Sequence, residues 1–193
     1  MQNTSKYLSD LATISAGHPI RDAIRDVPDG DVAVVQIKNV NTETGVDWPA
    51  VAKTKLAGRR GPDWLKPGDV IFSARGHRNV AVCLDQPPGR AVCSPHFFLI
   101  RVKDGKSTVP EFLAWQMNLP PAQRYFEQSA TGSYITSIRR QVLETLPLQI
   151  PSLERQRLLV RLADAAKREK HLMERLIQNR QRELDLVAEE LLA

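Results

Sequence analysis

The chain has 193 residues, of which 42% are hydrophobic and 25% are charged, and its formal net charge is +5. This composition allows a buried core without disulfides or metals, and it excludes a chain that is disordered throughout. The polar stretch 1–10 is unlike a signal peptide, and no run approaches the ~18 apolar residues of a membrane span, so we expect a cytoplasmic protein.

The first 150 residues are predicted to form short strands separated by turns that contain Pro and Gly. Apolar, β-branched or aromatic runs predict strands, at 32–37, 69–74, 79–84, 96–102 and 146–150. Helical segments are predicted at 109–119, 121–129 and 137–143. Because the helices follow most of the strands, the predicted fold class is α+β with a short-stranded mixed β-sheet.

The composition changes abruptly at Pro151. All ten glycines, all thirteen prolines and all eleven aromatic residues lie at or before this residue, and residues 152–193 contain none of them. This tail is rich in strong helix formers, and Pro151 with Glu154 in the first turn is typical of a helix start. We therefore predict two parts: a domain at 1–150 and one long helix at 151–193.

The apolar residues of this tail recur every seven positions, which is typical of a coiled coil. A helix of this length, about 60 Å, is longer than a body of ~150 residues. Contact with a second copy or a partner helix is therefore favoured, and the alternative is a helix folded back on its own domain. The predicted contact residues are Leu158, Leu162, Ala165, Leu172, Met173, Leu176, Ile177, Leu184 and Val187.

Patterns that indicate catalysis or metal binding are not found. The four histidines are scattered, no glycine-rich phosphate loop or nucleophile elbow occurs, and nearby carboxylates lie in turn-rich stretches. Cys83 and Cys93 lie in apolar runs without metal-ligand spacing, which predicts buried, reduced thiols. We therefore predict a protein that is not an enzyme, with no catalytic residues, no metal and no cofactor in this chain.

The positive charge is concentrated between Lys53 and Arg78. Seven Lys or Arg residues in this window stand against Asp63 and Asp69 alone, so the window carries the whole net charge of +5. Such an excess is typical of a surface that binds a phosphate backbone, although many solvated faces are also basic. The cationic residues are Lys53, Lys55, Arg59, Arg60, Lys66, Arg75 and Arg78.

Four groups of residues are candidates for contact with double-stranded DNA. Arginine is the preferred donor to guanine, asparagine can bridge adenine, and hydroxyl groups near a glycine commonly bind phosphate oxygens. The alternative for each turn is that it is exposed to solvent and has no binding role. The predicted DNA contacts are Lys38, Asn39, Arg59, Arg60, Arg75, His77, Arg78, Asn79, Thr131, Ser133, Tyr134 and Arg139.

Four segments, in this order, resemble parts of the DNA-specificity (S) subunits of type I restriction–modification systems. Residues 7–17 (YLSDLATISAG) resemble the opening of a target recognition domain, and 65–73 (LKPGDVIFS) its central strand. Residues 131–135 (TGSYI) and 146–156 (LPLQIPSLERQ) resemble its junction with the family's long helix. The usual member of this family has two recognition domains and two such helices, so this sequence resembles half of one, in a single-domain form.

The resemblance implies a prokaryotic DNA-recognition subunit of an enzyme complex. It would read one half-site, dimerise through its helix, and recruit methyltransferase subunits that bind S-adenosylmethionine; a translocating endonuclease subunit is a further partner. The alternatives are a stand-alone DNA-binding regulatory module without a methyltransferase partner, a structural coiled-coil protein, and an unrecognised nuclease. The sequence does not give the target bases or the spacer length.

Overall fold

A computed structural model describes residues 4–20, 23–56, 61–76, 79–129 and 137–192. Contacts divide the chain into two units, residues 1–157 and 158–193. The strands are β1 Thr4–Tyr7, β2 Ala12–Ala16, β3 Val32–Val35, β4 Val40–Asn41, β5 Gly45–Val46, β6 Lys53–Thr54, β7 Val70–Ser73, β8 Ala81–Cys83, β9 Ala91–Cys93, β10 Phe97–Val102 and β11 Pro147–Ile150. The helices are α1 Leu8–Leu11, α2 Pro110–Met117, α3 Pro120–Ser129, α4 Arg140–Glu144 and α5 Leu153–Leu192, with 3-10 turns at Ile37–Asn39 and Trp48–Ala50.

The largest sheet has four antiparallel strands in the order β2-β10-β7-β8. Its central strand β7 is buried at every position, as expected for an apolar run covered on both faces. One face carries Phe72, whose ring lies 4.8 Å from that of Phe126 on α3. Phe126 and Ala122 are four residues apart and are both buried, so one face of α3 packs inward.

A second sheet of three strands, β6-β3-β9, explains why the run at 32–35 is apolar throughout. Ala33 and Val35 pack in a cluster with Ile71 and Leu99 of the larger sheet. The other face of β3 carries Val32 and Val34, which form a second cluster with Val92 and the half-buried Ile20, Ile24, Leu56 and Trp64. The strands β3 and β9 are parallel, and the other paired strands of the described chain are antiparallel.

The first turn of α5 is held to the loop before α2 by one buried amide. Gln156 is fully buried, and its Oε1 accepts hydrogen bonds from Thr108 Oγ1 and the Val109 amide, both at 3.0 Å. Its Nε2 donates to the carbonyl oxygens of Ser107 (2.9 Å) and Pro151 (2.8 Å). All four hydrogen-bonding positions of this amide are therefore occupied inside unit 1–157.

The α+β fold class is confirmed, and so is the long helix, which forms 40 residues from Leu153. Most predicted strands are found, shortened by one or two residues at their ends, which is usual for such boundaries. Six strands were not predicted, namely β1, β2, β4, β5, β6 and β9. The strands form four small sheets where one mixed sheet was predicted. Within the described residues, no helix is both long enough and apolar enough to cross a membrane.

Candidate nucleic-acid interface

The β7–β8 hairpin positions two of the predicted DNA contacts, Arg75 and Asn79. Ser73 Oγ accepts a hydrogen bond from the Val80 amide (2.7 Å), and Asn79 Nδ2 donates to the Ser73 carbonyl oxygen (2.8 Å). Gly76 has a φ of 120°, a conformation open mainly to glycine. These contacts fix the base of the tip, from which Arg75 is exposed, while the Nδ2 of Asn79 is engaged within the hairpin.

The segment before α4 lies directly beside this tip. Arg75 and Ser137 form an antiparallel bridge, and the Ile138 amide donates to the Ala74 carbonyl oxygen at 2.9 Å. Ile138 is only 2% exposed, so it anchors the segment in the core, and the next residue, Arg139, is exposed. The structure therefore brings together two predicted binding segments that are more than 60 residues apart in sequence.

The two arginines at this junction are not neutralised by neighbouring acids. Arg140 Nε pairs with Glu144 Oε1 at 2.8 Å, but neither Arg75 nor Arg139 forms an ion pair with a carboxylate of the described residues. The junction is therefore a positively charged edge made of Arg75 and Arg139. Seven of the predicted contacts lie outside the described residues: Arg59, Arg60, His77, Arg78, Thr131, Ser133 and Tyr134.

Lys38 and Asn39 were both predicted as DNA contacts, but they differ in their exposure to solvent. Asn39 is 4% exposed, its Nδ2 donates to the Ala50 carbonyl oxygen (2.9 Å), and its Oδ1 accepts from the Gln36 amide (3.0 Å). This amide holds the 3-10 turn and is not displayed at the surface. Lys38, in the same turn, is exposed.

The two carboxylates of the basic window are both bound by one arginine. Arg101 Nε and Nη2 lie 2.7 Å from Asp69 Oδ1 and Oδ2, and Arg101 Nη1 lies 3.1 Å from Asp63 Oδ1. The hydrogen bond with Asp69, followed by that with Asp63, raises the pKa of Arg101 above its ordinary value. Both acids of the window thus form ion pairs with Arg101. Lys53 and Lys66 of the same window are exposed.

A cleft of about 460 Å³ contains polar groups but no activated nucleophile. It is lined by Ser15, Ala16, Gly17, His18, Pro19, Gly61, Asp63, Cys93 and Leu99. Burial raises the pKa of Cys93 to about 12, so this thiol stays protonated at neutral pH. A side chain at Gly17 would meet the Ser94 carbonyl oxygen at 2.0 Å, so glycine is required by a close backbone approach. Among the described residues, none of the predicted DNA contacts lines this cleft.

The helix α5 displays its apolar side chains to solvent. The eight larger residues predicted as contacts are between 48% and 69% exposed, and Ala165 is exposed as well. They recur along the helix from Leu158 to Val187, so they form a continuous exposed stripe and not a set of scattered apolar residues. An exposed apolar stripe of this length marks an interaction surface.

The combination of these small sheets with one long C-terminal helix is the fold of type I restriction–modification S subunits, in a half-size form with one domain. The S subunit from M. genitalium superposes with a TM-score of 0.60 at 16% identity, over 93% of this chain and 43% of that one. HsdS from Thermoanaerobacter tengcongensis gives 0.65 at 19% identity, over 95% of this chain and 46% of that one. A third structure, from work on the assembly and conformational transition of the type I R-M system, gives a TM-score of 0.63 at 15% identity. This match covers 95% of this chain and 43% of that one.

The chain thus spans less than half the length of these solved relatives. No protein-family profile matches its sequence, and no curated protein is significantly similar to it in sequence. At these identities the likeness establishes the fold, and the functional residues must be argued from this chain's own geometry.

Proposed function

We propose that this chain is the sequence-specific DNA-binding component of a type I restriction–modification complex or a related DNA methylation or defence complex. The observation that carries the proposal is the likeness to solved S subunits along 93–95% of the chain. In this role the chain reads one half-site and is not itself an enzyme. Methyl transfer from S-adenosylmethionine belongs to methyltransferase subunits that it recruits, and a translocating endonuclease subunit is a further partner.

The edge made by Arg75 and Arg139 is the proposed reading surface. A guanidinium group donates two parallel hydrogen bonds, either to the O6 and N7 of guanine or to a phosphate. Because Ile138 is buried and Ala74 is bonded to it, both arginines are attached to fixed backbone. A fixed attachment favours selection between bases, since a displaced hydrogen bond loses most of its strength.

A second copy of this chain is the proposed partner of the apolar stripe on α5. The solved S subunits are more than twice as long as the matched region, and two copies of this chain restore that length. A two-fold dimer would read two identical half-sites in an interrupted palindrome, since the symmetry of the protein is mirrored in the DNA.

The charges of α5 favour an antiparallel pair. Residues 153–172 contain six Lys or Arg and three Asp or Glu, which gives a net charge of +3. Residues 173–192 contain three Lys or Arg and five Asp or Glu, which gives a net charge of −2. An antiparallel partner places each positive half beside a negative half and also opposes the two dipoles.

The proposal is tested by selecting duplexes from a random-sequence pool with the purified full chain. We expect enrichment of a split palindrome, and co-purification with methyltransferase subunits among the products of neighbouring genes. Failure to enrich any sequence contradicts the proposal. Enrichment without a methyltransferase partner identifies a stand-alone DNA-binding regulator instead.

A further inference from the structure

Four arginines of α5 follow one another at intervals of seven residues: Arg161, Arg168, Arg175 and Arg182. Positions seven apart on an α-helix differ by about 20° around the axis, so the four lie within about 60° of arc. With a rise of 1.5 Å per residue, neighbours are about 10.5 Å apart along the axis and the outer two about 32 Å. We call this set the arginine column.

The arginine column is exposed and unpaired. All four side chains are exposed, and none has an ion pair or hydrogen bond with another side chain in the part of the chain that the structure describes. Asp164 lies within one turn of both Arg161 and Arg168 and pairs with neither. The column therefore presents four positive charges that no side chain of the helix neutralises by direct contact.

Other cations of the same helix are paired with acids. Lys170 Nζ lies 3.7 Å from Glu174 Oε1, and Arg180 Nη1 lies 2.9 Å from Glu183 Oε2. The acid nearest the end of the column, Asp185, accepts a hydrogen bond from Gln181 Nε2 at 2.8 Å. All four members of the column thus lack a side-chain partner within the described helix, whereas Lys170 and Arg180 each have one.

The column flanks one edge of the apolar stripe. At 100° per residue, Arg175 is about 60° from Leu172, about 100° from Leu176 and about 160° from both Met173 and Ile177. A partner that covers the apolar stripe therefore leaves most of the column open. The column and the stripe can be occupied at the same time by different ligands.

We propose that the arginine column binds the phosphate backbone of duplex DNA between the two half-sites. This inference rests on the proposed function, in which α5 joins two copies that each read one half-site. The column is about as long as one turn of the double helix, 34–36 Å. Guanidinium groups suit phosphate oxygens, and phosphate contacts carry no base information, as required for a spacer whose sequence is not read.

The test compares two triple variants with the same loss of charge in the full chain. The column variant is Arg168→Gln, Arg175→Gln and Arg182→Gln, and the control is Lys167→Gln, Lys170→Gln and Arg180→Gln. Glutamine is a good helix former, and loss of the two surface ion pairs in the control costs little. The probe is the duplex that the wild-type chain selects from a random-sequence pool, and its affinity is measured between about 50 and 200 mM salt.

The column variant is expected to lower the slope of log affinity against log salt by about 0.9 for each phosphate that the chain no longer neutralises. The control is expected to keep the wild-type slope, and both variants should select the same half-site bases. Replacing the same three arginines with lysine should restore most of the slope, because an ammonium group still attracts phosphate.

Equal slopes for the column variant and the control would overturn the inference. It is also overturned if the column variant binds DNA as the wild type does but no longer retains a co-purifying protein, since the column then serves an acidic protein surface. If the wild-type chain selects no duplex at all, the proposed function itself fails, and that result is distinct from the other two.

Discussion

Arg75 and Ser137 face each other in an antiparallel bridge, although 61 residues separate them in the chain. The Ile138 amide extends this pairing by donating to the Ala74 carbonyl oxygen at 2.9 Å. A hairpin tip and the segment that enters α4 are thereby joined into one edge. The proposed reading of DNA depends on this pairing, because it places Arg139 beside the tip that carries Arg75.

Replacing Arg75 and Arg139 together with alanine is expected to weaken binding to the selected duplex strongly. A well-formed contact to a base is worth about 1–3 kcal/mol, so each substitution corresponds to about 5- to 150-fold in affinity. Both side chains are exposed, and therefore the melting temperature should change little. Fluorescence anisotropy with the selected duplex and thermal unfolding by circular dichroism measure the two quantities.

Lys106→Ala is the matched control for this prediction. Lys106 is exposed in the turn after β10, at the end of the four-stranded sheet opposite the one where Arg75 lies. Its loss should leave half-site affinity nearly unchanged. An equal loss of affinity in the control and in the double variant would show that overall charge, and not this edge, governs binding.

The sequence identified both segments of this edge but could not predict that they meet. Turn residues and cations are visible locally, whereas the bridge between Arg75 and Ser137 is a tertiary contact with no local signal. The grouping of Asn39 with Lys38 was less successful, because an asparagine that caps a turn and one that reads adenine look alike in sequence. The spacing of Gln36 and Asn39, which resembles a capping box, was the available signal for the structural role.

Gln156→Leu is expected to destabilise the domain by about 2–4 kcal/mol, because buried polar groups that lose their partners cost about 1–3 kcal/mol each. The substitution leaves Thr108 Oγ1, the Val109 amide and the Ser107 carbonyl oxygen without the contacts made by Gln156. Urea unfolding measures the change.

Gln178→Leu makes the same chemical change on the exposed part of α5, where Gln178 has no hydrogen bond with a described side chain. This control should alter the free energy of unfolding by less than about 0.5 kcal/mol. Equal unfolding midpoints for the two variants would mean that the buried amide contributes no net stability.

Local pattern was sufficient for the strongly apolar and the strongly helical parts of the fold. The runs at β3 and β7 are buried at every position, so their hydrophobicity is nearly continuous. The helix α5 contains no Gly or Pro. The strand β9 has only three residues and is completed by a parallel neighbour nearly 60 residues away, which no local pattern reveals. In the polar strand β1 only Lys6 is partly buried. The strand therefore shows no alternation of apolar and polar residues from which it could have been predicted.

Leu176→Asp is expected to weaken self-association through α5. Leu176 is 68% exposed in the isolated chain, and a carboxylate there would be desolvated in the proposed dimer interface. Sedimentation velocity at micromolar concentrations should show a shift from dimer to monomer. Gln178→Asp, about 160° from Leu176 around the axis, should leave the dimer intact. If Leu176→Asp sediments as the wild type does, the stripe is not the dimer contact.

The stability of the protein is expected to fall as the pH rises from about 9 to about 12. Burial, aided by nearby acids, raises the pKa of Cys83 to about 12, and burial raises the pKa of Cys93 to about the same value, from an ordinary value of 9.0. Below pH 9 both thiols are protonated whether the chain is folded or unfolded, so their contribution is complete. Above it the unfolded chain ionises first, which favours unfolding until the folded thiols also ionise.

Thiol titration separates this effect from the general loss of stability in alkali. In the native protein both cysteines, Cys83 and Cys93, should react slowly with a disulfide reagent at pH 8 and rapidly once urea unfolds the chain, because the thiolate is the reactive form. The double variant Cys83→Ala and Cys93→Ala should lose stability less steeply than the wild type between pH 9 and 12. Rapid native reaction of both thiols, or identical slopes for the two proteins, would show that neither thiol is held protonated by the fold.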